Sequence, residues 1–534
     1  LARDDVSIET DAGDADPATG DRLAIFGSIL TQAGDVDLLT GAAADVVIVA
    51  AGASVVAGRD ATIRTGAGED AVAVSGLVEA RGGDVAISLC GADDTLDVDG
   101  TLAASERIAV AGGAGEDRLT FTQAVLSAPE ILILGQADDD LIELDEMADI
   151  DGAATVSGGA GDDLIFIDRL STQDADDSLR LNGGAGADDI LILTHGSLTG
   201  RDEAVDYVID VSDSGGRGDG ADTMVVRGTT EADIFLSRAN FVALMHGTPD
   251  QARGLEGAGP RPTTVERINY DRTLNGRLTL EGLAGDDLFI SDDNSAIMTL
   301  DGGAGNDDFQ IGQVFGLEPI AGIMGIAPGD DIDATRITRG WLSKGISYAT
   351  VIYGGSGHDI FNVYSNQAVL RMEGEAGNDT FVVRAFVKLA DGQTTAQIRA
   401  QIAAGAGDDQ IEYNINAPVD IDGGAGFDTV VALGSEFGDE FVITEDGVFG
   451  AGLNVTISGA EESLEIDGLE GDDTFFILST PEQAVTRIIG GLGSDSFKVA
   501  GDVTERIDSA EVDGRAGLIN HAAASDDDAY DGVA

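Results

Sequence analysis

Residues 158–167 read GGAGDDLIFI, a stretch that places three glycines and two aspartates directly before four apolar residues. Glycine adopts positive φ without steric cost, so such a run bends the backbone sharply. The apolar residues that follow suit one short buried strand. Near copies recur along the chain. The stretch therefore predicts a repeated unit in which an acidic, glycine-rich corner leads into a strand.

The spacing of the copies predicts the fold class. Consecutive copies start at Gly27, Gly52, Gly76 and Gly100, at intervals of 25, 24 and 24 residues. A period in the twenties indicates stacked supersecondary units. Each copy contains three short apolar segments without helical periodicity. We predict an all-β protein: a right-handed parallel β-helix or β-roll-like solenoid of about 20–25 residues per rung, with loop insertions.

The last acidic residue of each corner keeps the same step along the first part of the chain. In the corners LCGADD (89–94) and GQADDD (135–140) the glycines are mostly lost, but the final aspartate remains. This persistence indicates a role for the carboxylate beyond turn geometry. The series is Asp45, Asp70, Asp94, Asp117, Asp140, Asp163 and Asp188.

The repeat is regular only in part, which predicts a division of the chain. Residues 1–194 form regular rungs, and 195–275 form an irregular insertion that includes the start of a duplicated unit. Residues 276–500 return to less regular rungs, and 228–311 are duplicated at 434–499. Residues 501–534 are the truncated beginning of a further module. With one corner per rung, we expect only one edge of the coil to carry corners.

Composition limits the possible partners. The 534 residues include 98 acidic and 29 basic side chains, for a net charge of −69. Such a surface repels nucleic acid and anionic membranes and attracts cations. A salt-adapted acidic shell is an alternative source of the charge. Cys90 is the only cysteine, which excludes intrachain disulfides, and the apolar run 46–58 is too short and glycine-broken for membrane insertion.

The chemistry of the corner favours calcium. A G-x-G-x-D bend points several backbone carbonyls to one side beside a carboxylate, and Ca²⁺ binds six to eight such oxygens. One corner cannot supply that number, whereas two stacked corners can. The competing interpretation is that Asp and Gly merely favour turns and that water screens their charge.

The corners GGAGDDLIF, GGAGNDDFQ and GGLGSDSFK resemble the nonapeptide GGxGxDxUx of the RTX, or haemolysin-type calcium-binding, repeat proteins, which Gram-negative bacteria secrete. The N-terminal rungs also resemble the β-helices of filamentous-haemagglutinin-type adhesins. The RTX resemblance implies Ca²⁺ between stacked loops, with the sixth-position aspartate as a ligand. In this chain that role falls to Asp70, Asp117, Asp163, Asp188, Asp287, Asp307, Asp359, Asp379, Asp409, Asp428, Asp473 and Asp495.

Motifs for catalysis are scarce. His195, His246, His358 and His521 lie far apart without an HExxH motif, and His358, at the variable fifth position of a corner, is interpreted as a surface residue. Parallel β-helices also host polysaccharide lyases and epimerases. The best candidates for an enzymatic cluster are Trp341, Lys344, Tyr348 and Tyr353, although the insertion at 311–352 is interpreted as a packed cap or loop, and NYDRT (269–273) is a weaker candidate. The RGD at 217–219 is interpreted as part of a corner.

We therefore expect a non-enzymatic, calcium-binding structural segment, a stalk or scaffold in a large secreted or cell-surface bacterial protein of adhesin type. Its expected partners are calcium ions, with glycans or neighbouring copies of the same surface protein as further candidates. One alternative is a carbohydrate-active or glycan-binding β-helix. Another is an acidic matrix protein that binds calcium diffusely.

Overall fold

A computed structural model describes residues 4–10, 20–145, 148–174, 177–197, 205–216, 218–253, 264–314, 332–337, 340–384, 400–414, 419–450, 453–458, 461–482 and 484–499. The regular secondary structure of these residues is almost entirely strand. Two long sheets of mainly parallel strands run through the described chain, accompanied by one two-stranded sheet. The predicted all-β class and the repetitive parallel stacking are confirmed. The predicted module at 501–534 lies outside the described residues.

The N-terminal part contains twenty strands among its described residues. They are Val6–Glu9 (β1), Arg22–Ile25 (β2), Ser28–Leu30 (β3), Val36–Leu39 (β4), Val46–Val49 (β5), Ser54–Ala57 (β6), Ala61–Ala67 (β7), Ala71–Val74 (β8), Leu77–Ala80 (β9), Val85–Gly91 (β10), Thr95–Val98 (β11), Thr101–Ala104 (β12), Arg107–Ala114 (β13), Arg118–Thr122 (β14), Val125–Ala137 (β15), Leu141–Asp145 (β16), Asp149–Ala160 (β17), Leu164–Asp168 (β18), Ser178–Ala185 (β19) and Asp189–Leu193 (β20).

Rungs in this part have three strands. In one rung, β9 and β10 belong to the first sheet and β11 to the second. Strand β10 pairs in parallel with β7 and with β13, so that Val85 lies opposite Ala61 and Ile108. Burial alternates along β10, because successive side chains point to opposite faces of a strand. The apolar/polar alternation of the sequence therefore fixes which side chains enter the core.

The middle part carries the strands Tyr207–Ser212 (β21), Thr223–Arg227 (β22), Ile234–Arg238 (β23), Phe241–Met245 (β24), Val265–Asn269 (β25) and Arg277–Glu281 (β26), with the short helix Pro249–Arg253 (α1) between β24 and β25. Strand β24 is antiparallel to both β23 and β25. Strand β25 pairs in parallel with β21. Strand β23 pairs in parallel with Leu288–Ser291, the strand that follows β26 in the chain. The irregular segment thus inserts an antiparallel strand into the first sheet.

Twenty strands follow in the C-terminal part: Leu288–Ser291 (β27), Ile297–Ala304 (β28), Asp308–Ile311 (β29), Thr335–Ile337 (β30), Gly340–Leu342 (β31), Thr350–Ser356 (β32), Ile360–Val363 (β33), Leu370–Ala376 (β34), Thr380–Val383 (β35), Ala400–Ala403 (β36), Gln410–Asn414 (β37), Val419–Asp422 (β38), Asp428–Leu433 (β39), Glu440–Thr444 (β40), Gly447–Gly450 (β41), Leu453–Ser458 (β42), Glu461–Asp467 (β43), Thr474–Ile477 (β44), Val485–Ile489 (β45) and Ser496–Val499 (β46).

In the C-terminal part a rung needs only two strands, one from each sheet. Asp308 in β29 lies opposite Leu288 in β27, 20 residues earlier, but opposite Ile360 in β33, 52 residues later. The longer interval contains the small β30–β31 hairpin. Insertions of this kind break the sequence period, while the parallel register of the strands continues through them.

Along the chain the corners move twice from one edge of the stacked sheets to the other. Asp94 leads from β10 in the first sheet to β11 in the second, Asp307 from β28 in the second to β29 in the first, and Asp473 from β43 in the first to β44 in the second. Strand β22 lies between the corners of Asp222 and Asp233. The expectation that one edge carries every corner is therefore wrong for the chain as a whole.

The second edge change has the same elements as the first. Strand β39 begins at Asp428 and is followed by the corner of Asp439. Strand β41 is antiparallel to β40 and β42, and this insertion lies in the second sheet rather than the first. Each inserted antiparallel strand therefore accompanies a transfer of the corners to the other edge.

One hydrophobic cluster joins the inward faces of both sheets, and its buried residues extend from Ile25 to Phe475. In the C-terminal part the inward residue two positions after the corner aspartate is usually phenylalanine. Phe289, Phe309 and Phe361 stack with ring centroids 5.0 Å apart. The stacking follows from the register, which repeats one side chain at the spacing of paired strands.

Candidate functional site

The final aspartate of each corner forms a ladder of hydrogen bonds between rungs. The backbone N–H of Asp117 donates to Oδ1 of Asp140 at 2.9 Å, and the N–H of Asp140 donates to Oδ1 of Asp163 at 2.8 Å. Each carboxylate therefore accepts the amide of the equivalent residue one rung earlier. One oxygen of the carboxylate has a structural role that any hydrogen-bond acceptor of the same shape can fill.

Three such ladders follow the corners as they change edge. The first contains Asp45, Asp70, Asp94, Asp117, Asp140, Asp163, Asp188 and Asp222. The second contains Asp233, Asp287, Asp307, Asp359, Asp379, Asp409 and Asp428, and the third contains Asp439, Asp473 and Asp495.

Neutral or longer side chains end two of these ladders. The N–H of Asp222 donates to Oδ1 of Asn275 at 3.2 Å, and the N–H of Asp428 donates to Oε2 of Glu462 at 2.8 Å. Asn275 shows that an amide oxygen satisfies the backbone donor as a carboxylate oxygen does. The charge of the other ladder residues is therefore not needed for this hydrogen bond.

Glycine at the start of a corner makes room for the carboxylate. A Cβ added at Gly158 would lie 2.2 Å from Oδ2 of Asp163 in the same corner. The next residue, Gly159, has φ of +130°, a conformation that side chains disfavour. The two leading positions thus require glycine for different reasons. At the first a carboxylate oxygen approaches too closely for a Cβ, and at the second the backbone has positive φ.

The second carboxylate oxygen is buried and has no hydrogen-bond partner within the described residues. This holds for Oδ2 of fourteen ladder residues, namely Asp70, Asp94, Asp117, Asp140, Asp163, Asp188, Asp222, Asp287, Asp307, Asp359, Asp379, Asp409, Asp428 and Asp473. Burying a charged oxygen without a partner reduces the stability of the folded state by roughly several kcal/mol, which is the cost expected for removing an ion from water. Repeated fourteen times, such an arrangement requires a proton or a cation.

Three ladder residues show how the protein satisfies Oδ2 by itself. In the corner GAAAD, Oδ2 of Asp45 accepts the N–H of Gly41 at 2.8 Å. Oδ2 of Asp233 accepts the N–H and the hydroxyl of Thr229, and Oδ2 of Asp439 accepts both donors of Ser435. These corners lack the GGxG pattern. At the GGxG corners of Asp117, Asp163 and Asp307, by contrast, no donor within the described part of the chain reaches Oδ2.

Burial raises the pKa of the fourteen carboxyls with an unpartnered Oδ2, although the backbone N–H that each accepts opposes the shift. The pKa rises to about 7 for Asp94, Asp140 and Asp163 and to about 8 for Asp287. Neighbouring ladder carboxylates contribute in the same direction. Near neutral pH these groups are therefore poised between holding a proton and holding another cation.

The surroundings of Oδ2 fit a hard cation. At Gly302 the missing Cβ would lie 2.3 Å from Oδ2 of Asp307 and 2.7 Å from the carbonyl oxygen of Gly354 in the next rung. The same pair of oxygens, one carboxylate and one carbonyl, surrounds the leading glycine at Gly282 and Gly468. Calcium prefers such oxygens. At lower pH the same pair can instead share the proton of a carboxylic acid.

Eleven of the twelve predicted metal ligands belong to the set with a buried, unpartnered Oδ2; the exception is Asp495, which is only half-buried at the end of the described chain. Sequence reasoning left out Asp94, Asp140 and Asp222. The corners of Asp94 and Asp140 lack most of the glycines, but the steady spacing of these two aspartates could have identified them. Their corners adopt the same bend with positive φ at Cys90 and Gln136.

A second, exposed ladder runs beside the buried ones at the fifth position of the corner. Oδ1 of Asn306 accepts the N–H of His358, and Nδ1 of His358 accepts the N–H of Asn378, each at 2.9 Å. His358 therefore lies at the surface and bonds the next rung. The sequence predicted a variable position with His358 at the surface, but not that this position bonds between rungs.

The four main residues considered for an enzymatic cluster do not line the cleft found among the described residues. Trp341 packs under the guanidinium of Arg336, and Nζ of Lys344 pairs with Asp333 at 2.9 Å in an exposed ion pair. A cleft of about 610 Å³ lies elsewhere, against Asp213, Tyr270 and Arg272, and neither Trp341 nor Lys344 lines it. Tyr348 and Tyr353 do not line it either.

The NYDRT segment reaches that cleft, but its tyrosine is buried. The hydroxyl of Tyr270 donates to the carbonyl oxygen of Arg238 at 2.8 Å. Burial raises its pKa above the ordinary tyrosine value, so the hydroxyl stays protonated near neutral pH and does not act as a general base. In the RGD segment, Arg217 lies outside the described residues, and Oδ2 of Asp219 accepts the N–H of Gly216 within a turn.

Two histidines that are distant in sequence meet a buried glutamate in the irregular segment. Glu266 accepts the backbone N–H of His195 and the hydroxyl of Tyr207, both at 2.8 Å. Nε2 of His246 lies 3.4 Å from its other oxygen. Tyr207, His246 and Glu266 are at most 2% exposed, so this network holds the inserted strand in place and is closed to a substrate.

Comparison of the chain with protein-family models, curated proteins and solved structures returns no match. Among the described residues, no helix has the length and apolar character needed to span a membrane.

Proposed function

We propose that this chain is a calcium-binding structural segment, a stalk or scaffold in a large secreted or cell-surface bacterial protein of adhesin type. The observation that carries the proposal is the buried, unpartnered Oδ2 repeated in fourteen ladder aspartates. In these fourteen residues the hydrogen bond between rungs uses only Oδ1, so it does not account for the second oxygen. The resemblance of the GGxG corners to RTX repeats supports calcium as the cation and an extracellular location.

The same proposal includes a right-handed parallel β-helix as the detailed form of the solenoid. Parallel strands joined by crossovers within one sheet are right-handed in nearly all known cases. The three-strand rungs of the N-terminal part and the two-strand rungs after Asp287 would then be variants of one coil.

The mechanism is linkage between cation binding and folding. Bound calcium would supply positive charge and coordination sites for Oδ2 and the neighbouring carbonyl oxygens. The ladder oxygens come together only when rungs stack, so the unfolded chain has no comparable site. A ligand that binds only the folded state stabilises it by RT ln(1 + [L]/Kd), about 1.4 kcal/mol per site at ten times Kd.

The carbohydrate-active alternative has less support. Of its main candidates, Trp341 lies in a small hairpin and Lys344 in an exposed ion pair, and neither lines the cleft that the weaker NYDRT segment reaches. The diffuse acidic matrix alternative makes a different prediction from ours, because it expects no saturable sites at the ladder aspartates.

The test is thermal unfolding of the full chain, followed by circular dichroism. Metal-free protein is compared with protein in calcium and in magnesium at equal ionic strength, and equilibrium dialysis counts bound calcium. We expect calcium to raise Tm far more than magnesium and to saturate at several ions per chain. Equal melting in the two cations, or unsaturable binding, would contradict the proposal.

A further inference from the structure

Three carboxylates meet where the first ladder ends. One oxygen each from Asp188, Asp213 and Asp222 lie within 4.8 Å of one another. Asp188 and Asp222 are ladder residues, whereas Asp213 follows β21. Ser212 lies opposite Asn182 in the sheet, so Asp213 occupies the register position of Gly183. A carboxylate thus stands at this rung where the preceding rung has its leading glycine.

The ladder leaves an unused oxygen on two of these residues. Oδ1 of Asp188 accepts the N–H of Asp163, and Oδ1 of Asp222 accepts the N–H of Asp188. Oδ2 of both is buried without a partner, and the two residues are 1% and 2% exposed. Two of the three residues in the cluster, Asp188 and Asp222, therefore each carry an oxygen that no donor satisfies.

Asp213 is held in place by the backbone. Its Oδ1 accepts the N–H of Gly184 at 3.0 Å, and its Oδ2 accepts the N–H of Gly215 at 3.1 Å. Each carboxylate oxygen has two lone pairs, so one on each oxygen stays available. The two amides orient the carboxylate without neutralising it.

We propose that Asp188, Asp213 and Asp222 form a discrete calcium site that binds more tightly than the ladder rungs. Three carboxylates concentrate more negative charge than the single carboxylate and carbonyls of an ordinary rung. All available ligands are oxygens, which favours calcium or magnesium over zinc. Magnesium demands near-octahedral geometry and keeps its water, whereas ligands fixed by three separate backbone contacts suit the more tolerant calcium ion.

The site also has a route to solvent. Asp213 lines the cleft of about 610 Å³ together with Gly215, Thr273 and Asn275. A cation can therefore reach Asp213 without separation of the rungs, whereas the Oδ2 atoms within the ladders are buried between stacked corners. We expect this site to fill first and to exchange while the solenoid stays folded.

The inference rests in part on the proposed function, since Asp188 and Asp222 belong to the first ladder, but Asp213 does not. This difference provides the variants. Asp213→Asn keeps the acceptor for Gly184 and removes one charge, and Asp213→Gly restores the residue type of the preceding rung. Asp219→Asn is the matched control, because Asp219 lies in the same corner, accepts the N–H of Gly216 and is outside the cluster.

The experiment is calorimetric titration of the metal-free full chain with calcium alone, repeated for each variant. We expect the wild type to show one tight step before the weaker ladder sites. Asp213→Asn and Asp213→Gly should each weaken that step at least about tenfold, which is the effect of losing one of three charged ligands. Asp219→Asn should change it by no more than about twofold.

Equal affinities in wild type, both Asp213 variants and the control would overturn the inference. Melting in metal-free buffer shows whether each variant folds, and two different replacements guard against a local folding defect. The two proposals can fail separately. Calcium stabilisation without an effect of Asp213 rejects this site alone, whereas a single Asp213-dependent step without calcium stabilisation of the rungs rejects the calcium ladder alone.

Discussion

At the scale of the residue, the ladder aspartate divides its two oxygens between two roles. Oδ1 of Asp163 accepts the N–H of Asp140, while Oδ2 is buried without a partner. The constant spacing of the corner aspartates predicted that the carboxylate has a role beyond turn geometry. It did not reveal the division of roles, because that depends on the neighbouring rung.

Replacing Asp163 by asparagine should separate these roles. The amide oxygen can accept the N–H of Asp140, as Asn275 does for Asp222, but the buried charge is gone. In metal-free buffer near pH 8 we expect equal or higher stability than wild type. In calcium at ten times Kd, the gain should be smaller by about 1.4 kcal/mol. Urea unfolding with and without calcium measures both.

The neighbouring Asp162 provides the control for that change. It is exposed, and its Oδ1 accepts the N–H of Ala187 from the exposed ladder. Asp162→Asn should leave the calcium-dependent gain unchanged. Loss of the same increment in both variants would show that net charge, rather than the buried oxygen, governs the response.

Corners that lack glycine carry conformational strain at single residues. Ala92 has φ of +87°, which costs an L-residue about 1–2 kcal/mol relative to glycine. Ala92→Gly should therefore raise the free energy of unfolding by about 1 kcal/mol, after the larger entropy of the unfolded glycine chain is subtracted. Ala86→Gly, in the regular strand β10, should lower it. Opposite signs in chemical unfolding would support the assignment, and equal signs would refute it.

At the scale of the element, the inward residue two positions after each aspartate builds the core column. In the first ladder it is mostly aliphatic, such as Ile142 or Ile165, and in the second it is phenylalanine except after Asp409 and Asp428. Apolar alternation predicted that these side chains point inward. The stacking of one ring on the next requires rungs in register, which the corner-to-corner spacing hides wherever an insertion separates them.

Removing one ring should open a cavity. Phe309 is fully buried between Phe289 and Phe361, so Phe309→Ala is expected to cost about 3–5 kcal/mol. Phe427 is 56% exposed, and Phe427→Ala should change stability by less than about 0.5 kcal/mol. Urea unfolding in saturating calcium measures both. Similar losses in the two variants would mean that Phe309 does not stack in solution.

The corner-transfer units show how one sequence pattern serves two geometries. The segments beginning at Gly228 and Gly434 have similar patterns, and each leads into an inserted antiparallel strand. The first insertion lies in the first sheet and the second in the second sheet. The difference arises because the sheet that a corner leaves depends on the strand before it, which the local sequence does not encode.

At the scale of the whole molecule, the ladders concentrate charge that solvent does not screen well. Unit charges about 4.8 Å apart repel by roughly 3–4 kcal/mol at an effective dielectric constant of 20. The ladder aspartates are part of a net charge of −69 for the whole chain. Stacking the rungs therefore requires that the ladder carboxyls bind protons or cations, and the stability of the whole solenoid follows their occupancy.

The sign of the metal-free pH dependence follows from the raised pKa values. The folded chain has ladder pKa values of about 7, as for Asp94, Asp140 and Asp379, against an ordinary value of 3.8. Between these limits the folded state binds more protons than the unfolded state. Stability without calcium should therefore fall as pH rises from about 4 to about 7.

Calcium should abolish most of that fall, because it takes the place of the proton on the ionised ladder. Melting temperatures measured from about pH 4.5 to about pH 8, in metal-free and in calcium buffer, check both statements. A metal-free protein that becomes more stable with rising pH would show that the ladder carboxylates are well solvated and that burial does not control them.

The sequence by itself determined the repeat, the all-β class, the inward-facing residues and eleven of the fourteen carboxylates with an unpartnered oxygen. These properties are local or periodic, since they depend on glycine conformation, on alternation along a strand and on spacing along the chain. Only the tertiary structure decided which edge carries each ladder, which oxygen of an aspartate is free, and that Asp213 joins Asp188 and Asp222. Those properties depend on contacts between rungs, and loop insertions of varying length separate such contacts in the sequence.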